Sequence, residues 1–243
     1  VDAVVLAAGS SNRMGGQDKT LSPLGGEPLI IWSLRAFESS PEVRAVVVTT
    51  SEANRKGVTE AIRKARLRKV TQVVLGGLSR SESVFNGLAA LADSGAAFVA
   101  IHDGARPFVT AEIIGRGVRT ARKHGAAVAA VRSVDTVKLV DHHGQVERTP
   151  PRESVWLAQT PQIGRLGELL EAHCRNRDRL GEFTDDVAIL EHEGVAVHVF
   201  ESDVGNLKIT HPDDLWSAQK RLAQSTSAPT KTTAIDGTDT LGE

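Results

Sequence analysis

The sequence predicts an α/β fold: a mostly parallel sheet with helices on both faces and a β-hairpin arm protruding from it. Three observations carry this reading. Short apolar runs rich in β-branched residues recur along the chain, and amphipathic helical patterns separate them. One segment, Val137 to Arg152, breaks the alternation with a turn signal between two β-like stretches. Strands that alternate with helices are joined by crossovers, which makes them parallel and leaves both sheet faces to be covered.

The strands are expected at Ala3–Ala7, Ala45–Thr50, Val70–Leu75, Phe98–His102, Ala126–Val131 and Val195–Phe200, a Rossmann-like succession. Helix starts follow from local chemistry. Pro28 stands just inside the first helix, where its missing N–H is harmless, and "SRSE", Ser79 to Glu82, is a capping box. Thr110 and Thr184 are N-cap residues, and Pro212 opens the last helix. "NLKIT", Asn206 to Thr210, reads as a short strand whose Lys208 interrupts an apolar alternation, either snorkelling or turned toward an anion. In the arm, "DHHGQ" is the turn, with Gly144 at its permissive position. Such an arm has little to pack on within one chain, so a homodimer is expected, with an ordinary surface hairpin as the alternative. Residues 1–223 form one domain with the arm at 137–152. From 224 to 243 periodicity and apolar mass fade into an expected disordered tail.

At 243 residues the chain can bury a substantial core. Its 29 basic and 30 acidic residues leave a net charge of -1, which gives no reason to expect nucleic acid or a polyanionic membrane surface as partner. No apolar run approaches the roughly 20 residues that span a bilayer. Cys174 is the only cysteine, so there is no intrachain disulfide; it reads as a small buried apolar side chain compatible with a reducing compartment. A cytoplasmic protein is expected.

Chemistry begins where the first strand ends. "LAAGSSNRMGGQDKT" is a loop of small residues holding two cations, Arg13 and Lys19, six residues apart. It lacks the Gly-Lys-Ser/Thr of a Walker A loop, and Gly9, Gly15 and Gly16 do not fit the G-x-G-x-x-G spacing. Open α/β sheets bind ligands at the carboxyl ends of their strands, and backbone amides there can wrap an anion that the two cations reach from different sides. "GGLSRSESVFNGL" follows the third strand, offering amides and the Ser83 hydroxyl to a base or ribose. "IHDGARP" places Asp103 and Arg106 at the end of the fourth.

Taken together, "LAAGSSNRM…DK", "GG…R…SV.NGL", "HDGARP", "DTVK", "W.AQTPQ", "TDD" and "NLKITHPDDL" stand in the order found in the 2-C-methyl-D-erythritol 4-phosphate cytidylyltransferases of isoprenoid biosynthesis. The chain resembles that family from about Val4 to Leu222. It departs from it at "DKT", Asp18 to Thr20, where the family usually shows Pro-Lys-Gln, and at Leu78, where some members carry Asp. "RMGGQDK" is closer to molybdopterin nucleotidyltransferases, but the arm with "DTVK" and "QTPQ" favours the erythritol family. Ribitol 5-phosphate cytidylyltransferase remains an alternative. So does a nucleotide-sensing regulatory protein, which would bind CTP and release no pyrophosphate. A nucleotide-sugar glycosyltransferase would call for Asp-x-Asp where "HDGAR" offers one acid.

The resemblance implies that CTP and methylerythritol phosphate give the CDP-alcohol and pyrophosphate. It assigns Arg13 and Lys19 to the transition state and leaving group, and Arg152 and Lys208 to the attacking phosphate. Asp103, Arg106 and Thr136 would contact the methylerythritol, some of them across a dimer. Ala7, Ala8, Gly9, Gly77 and Ser83 would line the cytidine pocket, and Arg80 and Thr160 would belong to the substrate site. Mg²⁺ is expected to accompany the triphosphate, with Asp103 the one carboxylate nominated as its ligand. The adjacent His142 and His143 read as solvated and pointing opposite ways, not as a zinc site.

Overall fold

The computed structural model describes residues 1–9 and 19–227. Strand β1 (Asp2–Ala7) is buried along its whole length and is followed by a two-rung hairpin, β2 (Pro23–Leu24) and β3 (Glu27–Pro28). Helix α1 (Leu29–Ser39) starts with Pro28 in the N-cap position. Then β4 (Ala45–Thr50), α2 (Glu52–Lys64), β5 (Val70–Leu75), α3 (Arg80–Ala89), β6 (Phe98–Asp103), α4 (Ala111–His124) and β7 (Ala126–Arg132) alternate as expected. Two capping signals hold: Ser79 Oγ accepts from Glu82 N at 3.1 Å and Thr110 Oγ1 from Ile113 N at 3.2 Å. Glu82 completes its box one residue early, accepting from Leu78 N at 2.7 Å.

The arm is a hairpin of β8 (Leu139–Val140) and β9 (Val146–Arg148). Asp141 Oδ1 accepts from the backbone of His143 and Gln145, and Gly144 adopts φ +84. The two histidines do not point apart. Their rings lie 3.8 Å between centroids, because they occupy the turn and not an extended strand. Both are exposed. Leu139, Val140 and Val146 are also exposed, at 40, 51 and 52%, so the arm has no core of its own.

After the arm comes an element the sequence pattern did not predict. Strand β10 (Trp156–Arg165) runs antiparallel between β6 and β7, giving a sheet order β11-β7-β10-β6-β1-β4-β5, all other pairings being parallel. Its register shifts between Ala158 and Gln162, around Gln159, Thr160 and Pro161. Helix α5 (Leu166–Arg175), α6 (Ala188–His192), β11 (Val197–Glu201) and α7 (Pro212–Ser227) complete the chain. Three expectations are corrected here. Thr184 does not cap α6; Asp185 Oδ1 accepts from Ala188 N at 2.9 Å in that role. Residues 206–210 are not a strand, being held as a loop by Arg106 Nη1 on Asn206 O and Ile209 N on Ala105 O, both at 2.8 Å. Cys174 is exposed, since α5 buries Leu166, Leu169, Ala172 and His173 and turns Cys174 outward.

The core lies on both faces of the sheet. Ala3, Val5 and Ala7 of β1 meet Ile30, Leu34 and Phe37 of α1, Val58 of α2 and Ile114 and Val118 of α4. Val4 and Leu6 meet Val84 and Leu88 of α3, Leu169 of α5 and Leu190 of α6. This alternation is the period-two geometry of a strand buried on both sides. Against the β2–β3 hairpin, Ala218 of α7 packs with Leu24, Leu29, Ala105 and Ile209, fixing the 206–210 loop beside the end of β6. The expected tail falls outside the described residues from 228 onward. Among the described residues no helix is long and apolar enough to cross a membrane.

Candidate active site

A cleft of about 460 Å³ opens at the carboxyl ends of β1, β5 and β6. Ala7, Ala8 and Gly9 enter it from β1, Lys19 from the turn before β2, Gly77, Arg80 and Ser83 from the start of α3, and Asp103 and Lys208 from its floor. A second cavity of about 300 Å³ continues from Asp103, Arg80 and Lys208 toward Arg106, Thr160, Gln162 and Asp185.

Glycine makes the upper wall possible. A Cβ on Gly76 would fall 2.3 Å from Ala8 Cβ, and one on Gly77 would fall 2.2 Å from Glu82 Cβ. Ser83 tightens the same loop, its Oγ accepting from Gly77 N at 3.0 Å and donating to Ser79 O at 2.9 Å. Ser83 is buried, and its proton is held by the protein backbone.

The floor is an ionic cluster around Asp103. Arg80 donates to Asp103 Oδ1 from Nε and Nη2, at 3.1 and 3.0 Å, and grips Asp186 with Nη1 and Nη2 at 2.7 and 2.8 Å. Lys208 Nζ meets Asp103 Oδ2 at 2.8 Å, while Arg106 Nε stands 3.8 Å from that oxygen. Burial alone would push the Asp103 carboxyl up, but Arg80, Lys208 and Arg106 together hold it well below the usual carboxylate range. Burial works against the Arg80 guanidinium too, yet Asp186 and Asp103 raise it above its ordinary value. Arg106 is lowered, by burial first and then by Arg80, with Asp103 opposing.

Beneath the cluster lies fully buried His102, pushed by burial down to about 4 and therefore neutral at physiological pH. Thr160 Oγ1 lies 3.0 Å from its Nδ1 and accepts from Asp103 N at 3.1 Å. Asn206 Nδ2 donates to Thr160 O at 2.9 Å and to Gln159 Oε1 at 3.0 Å, tying the β10 irregularity to the Lys208 loop. Gln162 Oε1 accepts from the backbone of Asp186 and Val187.

The structure thus brings together Ala7, Ala8, Gly9, Lys19, Gly77, Arg80, Ser83, Asp103, Arg106, Thr160 and Lys208. Arg13 and Asp18 lie outside the described residues. Thr136 and Arg152 do not reach the cleft within one chain. They meet at the base of the arm, where Arg152 Nη2 donates to Thr136 Oγ1 at 3.2 Å, and both are exposed. Sequence reasoning missed Asp186, His102, Gln162 and Asn206 as members of the site. Asp186 did carry a signal, the "TDD" motif, but nothing local paired it with Arg80, 106 residues away.

The model of the family described as 2-C-methyl-D-erythritol 4-phosphate cytidylyltransferase matches residues 1–224. This chain belongs to that family. An enzyme of that name from Dehalococcoides mccartyi is 41% identical over 220 residues, 90% of this chain and 94% of the relative. One from Geobacillus kaustophilus is 41% identical over 225 residues, 91% and 96% of the two chains. Among solved structures, the 4-diphosphocytidyl-2C-methyl-D-erythritol synthase of Anaerococcus prevotii superposes with a TM-score of 0.82 at 27% identity, covering 91% of this chain and 95% of that one. The cytidylyltransferase family accounts for the motifs that converge on this cleft, and Leu78, fully exposed at its rim, marks one of the chain's departures from the family pattern.

Proposed function

We propose that this chain transfers the cytidylyl group of CTP to 2-C-methyl-D-erythritol 4-phosphate, releasing pyrophosphate, as a cytoplasmic homodimer. The observation that carries the reading is the charged floor of the cleft. Lys19, Arg80, Arg106 and Lys208 face three carboxylates, Asp103, Asp185 and Asp186, so cations still outnumber acids where two phosphorylated substrates must approach each other.

The acceptor phosphate is anionic at neutral pH and needs no general base. One of its oxygens attacks the α-phosphorus of CTP as the bond from that phosphorus to the bridging oxygen breaks, and pyrophosphate leaves with the electron pair. Catalysis is then positioning and charge stabilisation. Lys19, with Arg13, neutralises the triphosphate and its leaving group from the β1 side. Lys208 holds the acceptor phosphate from the opposite side. Arg152 and Thr136, too far out on the arm to serve their own chain's cleft, supply the acceptor site of a second copy; the exposed Leu139, Val140 and Val146 favour that docking.

Mg²⁺ would enter on the triphosphate. Asp103 does not fit the role of its protein ligand, since Oδ1 already accepts twice from Arg80 and Oδ2 is paired with Lys208, and no cluster of three or more His, Cys, Asp or Glu occurs among the described residues. The exposed thiol of Cys174 is compatible with a reducing compartment.

The test is a pyrophosphate-release assay crossing CTP, GTP and ATP with methylerythritol phosphate, ribitol 5-phosphate and molybdopterin. Release is expected with CTP and methylerythritol phosphate alone. Faster release with another pair would reassign the substrate, and CTP binding without any release would make the chain a sensor.

A further inference from the structure

Three hydrogen bonds around the carboxyl end of β6 form a directed relay. The carbonyl of Arg106 can only accept, and His102 Nε2 lies 3.3 Å from it, so the ring's proton sits on Nε2. Nδ1 then carries a lone pair and accepts the Thr160 hydroxyl proton at 3.0 Å. With its proton turned to His102, the same hydroxyl presents a lone pair to Asp103 N–H at 3.1 Å. The opposite tautomer would set the Nε2 lone pair against the Arg106 carbonyl. Phe37 closes the ring in, 5.2 Å between centroids, and Ser33 Oγ reaches the Arg106 carbonyl at 3.0 Å from the same side.

The relay fastens both ends of the turn 103–106, which is itself closed by Arg106 N on Asp103 O at 2.9 Å. That turn carries the two side chains at the junction of the cavities, Asp103 and Arg106. Thr160, though it lines the second cavity, has its proton committed to His102 and is 3% exposed.

We infer that His102 and Thr160 are a positioning pair for the acceptor alcohol, acting through the aim of Asp103 and Arg106 and not by touching the substrate. The inference rests on the cytidylyl-transfer reading; it gives His102 a task and turns Thr160 from the substrate contact that the family resemblance implies into a support for its neighbours. The pair acts as a unit, because loss of either partner frees the same turn.

The decisive variants are Thr160→Val, Thr160→Ser and His102→Phe, alone and in combination, measured in the full chain for acceptor KM, kcat, CTP affinity by calorimetry and melting temperature. Thr160→Val is expected to raise the acceptor KM about tenfold and to leave CTP affinity within about twofold, as loss of one aligned contact does. Thr160→Ser keeps the hydroxyl and should restore the KM to within about threefold of the unaltered chain. His102→Phe combined with Thr160→Val should do no more harm than the worse single change. If His102→Phe does not fold, the valine and serine variants still decide. A folded Thr160→Val with unaltered acceptor KM, equal losses for acceptor and CTP, or a serine variant as impaired as valine would overturn the inference. Transfer by the unaltered chain is the control. Its absence would remove the cytidylyl reading itself, a result distinct from any of these.

Discussion

Arg80 binds Asp103 with one edge of its guanidinium and Asp186 with the other, joining residues 80, 103 and 186 at one point beneath the cleft. The geometry couples the start of α3, next to the glycine wall of the cleft, to the end of β6, which carries Asp103 and leads into the turn that bears Arg106. It also makes Asp186 a test of the cluster. Asp186 is 2% exposed, and removing one partner of a buried pair leaves the other charge uncompensated. Asp186→Asn is expected to lower stability by about 3 kcal/mol in urea denaturation and to reduce turnover more than it weakens CTP. Unchanged unfolding would mean that Asp103 alone satisfies Arg80.

Gly77 offers a prediction for the nucleotide-side role proposed for it. A Cβ there would meet the Cβ of Glu82, an atom fixed close to the helix backbone, so the loop must move and take Leu78 N from the Glu82 carboxylate. Gly77→Ala is expected to weaken CTP at least about tenfold by calorimetry with a modest change in melting temperature. CTP affinity equal to that of the unaltered chain would remove the close backbone approach from the account.

The contrast between these two residues explains how much could be read beforehand. Gly77 stands in a glycine pair directly after an apolar strand, so its place at a sheet edge follows from local pattern. Asp186 acquires meaning only from Arg80, far away in sequence. Strand β10 was hidden for a different reason: "WLAQTPQIGR" carries Pro161, Gly164 and three buried polar residues, Gln159, Thr160 and Gln162, where alternation would be sought. The interrupted register accommodates the proline, and its polar side chains bond His102, Asn206 and the backbone at Asp186. Asn206–Thr210 erred the other way: Ile209 is buried and Lys208 lines the cleft, but Leu207 is exposed, so the apparent alternation belongs to a loop and not to a strand.

His102 sets a pH dependence. Its folded value, pushed by burial to about 4, lies below the 6.5 of an unfolded histidine. Between those values the unfolded chain binds more protons than the folded one, so stability is fully present above pH 6.5 and falls as the pH drops toward 4. The loss amounts to about 3 kcal/mol across that window. His102→Phe should flatten this limb in urea midpoints measured between pH 7 and pH 4, whatever its baseline stability. An identical slope in the variant would assign the acid sensitivity to other groups.

Lys19 reaches the cleft from the turn before β2 and is proposed to act on charge that develops as pyrophosphate leaves. Lys19→Ala is expected to reduce turnover by roughly 10²–10³ with little change in melting temperature, the usual size for one lost electrostatic donor. Normal turnover would exclude it from the transition state. Arg13 carries the same expectation from its register with Lys19.

The arm decides whether the site belongs to one chain or two. Arg152 and Thr136 bond each other at its base, exposed and outside their own chain's cleft, whereas Lys19 and Lys208 face into it. If a second copy's arm completes the acceptor site, Lys19→Ala and Arg152→Ala damage different halves of it. In a mixed dimer, the site that takes Lys19 from the Arg152→Ala chain and Arg152 from the Lys19→Ala chain is intact, and the other site lacks both. Random reassociation of equal amounts makes half the dimers mixed, so activity should recover to about a quarter of that of the unaltered protein. Each variant alone stays impaired, and CTP affinity of Arg152→Ala, measured separately, should match the unaltered chain. Recovery should vanish when residues 139–148 are replaced by glycines, because chains that cannot exchange arms cannot complement. Absence of recovery in dimers verified as mixed by native mass spectrometry would confine each site to a single chain and return Arg152 to the surface of the arm.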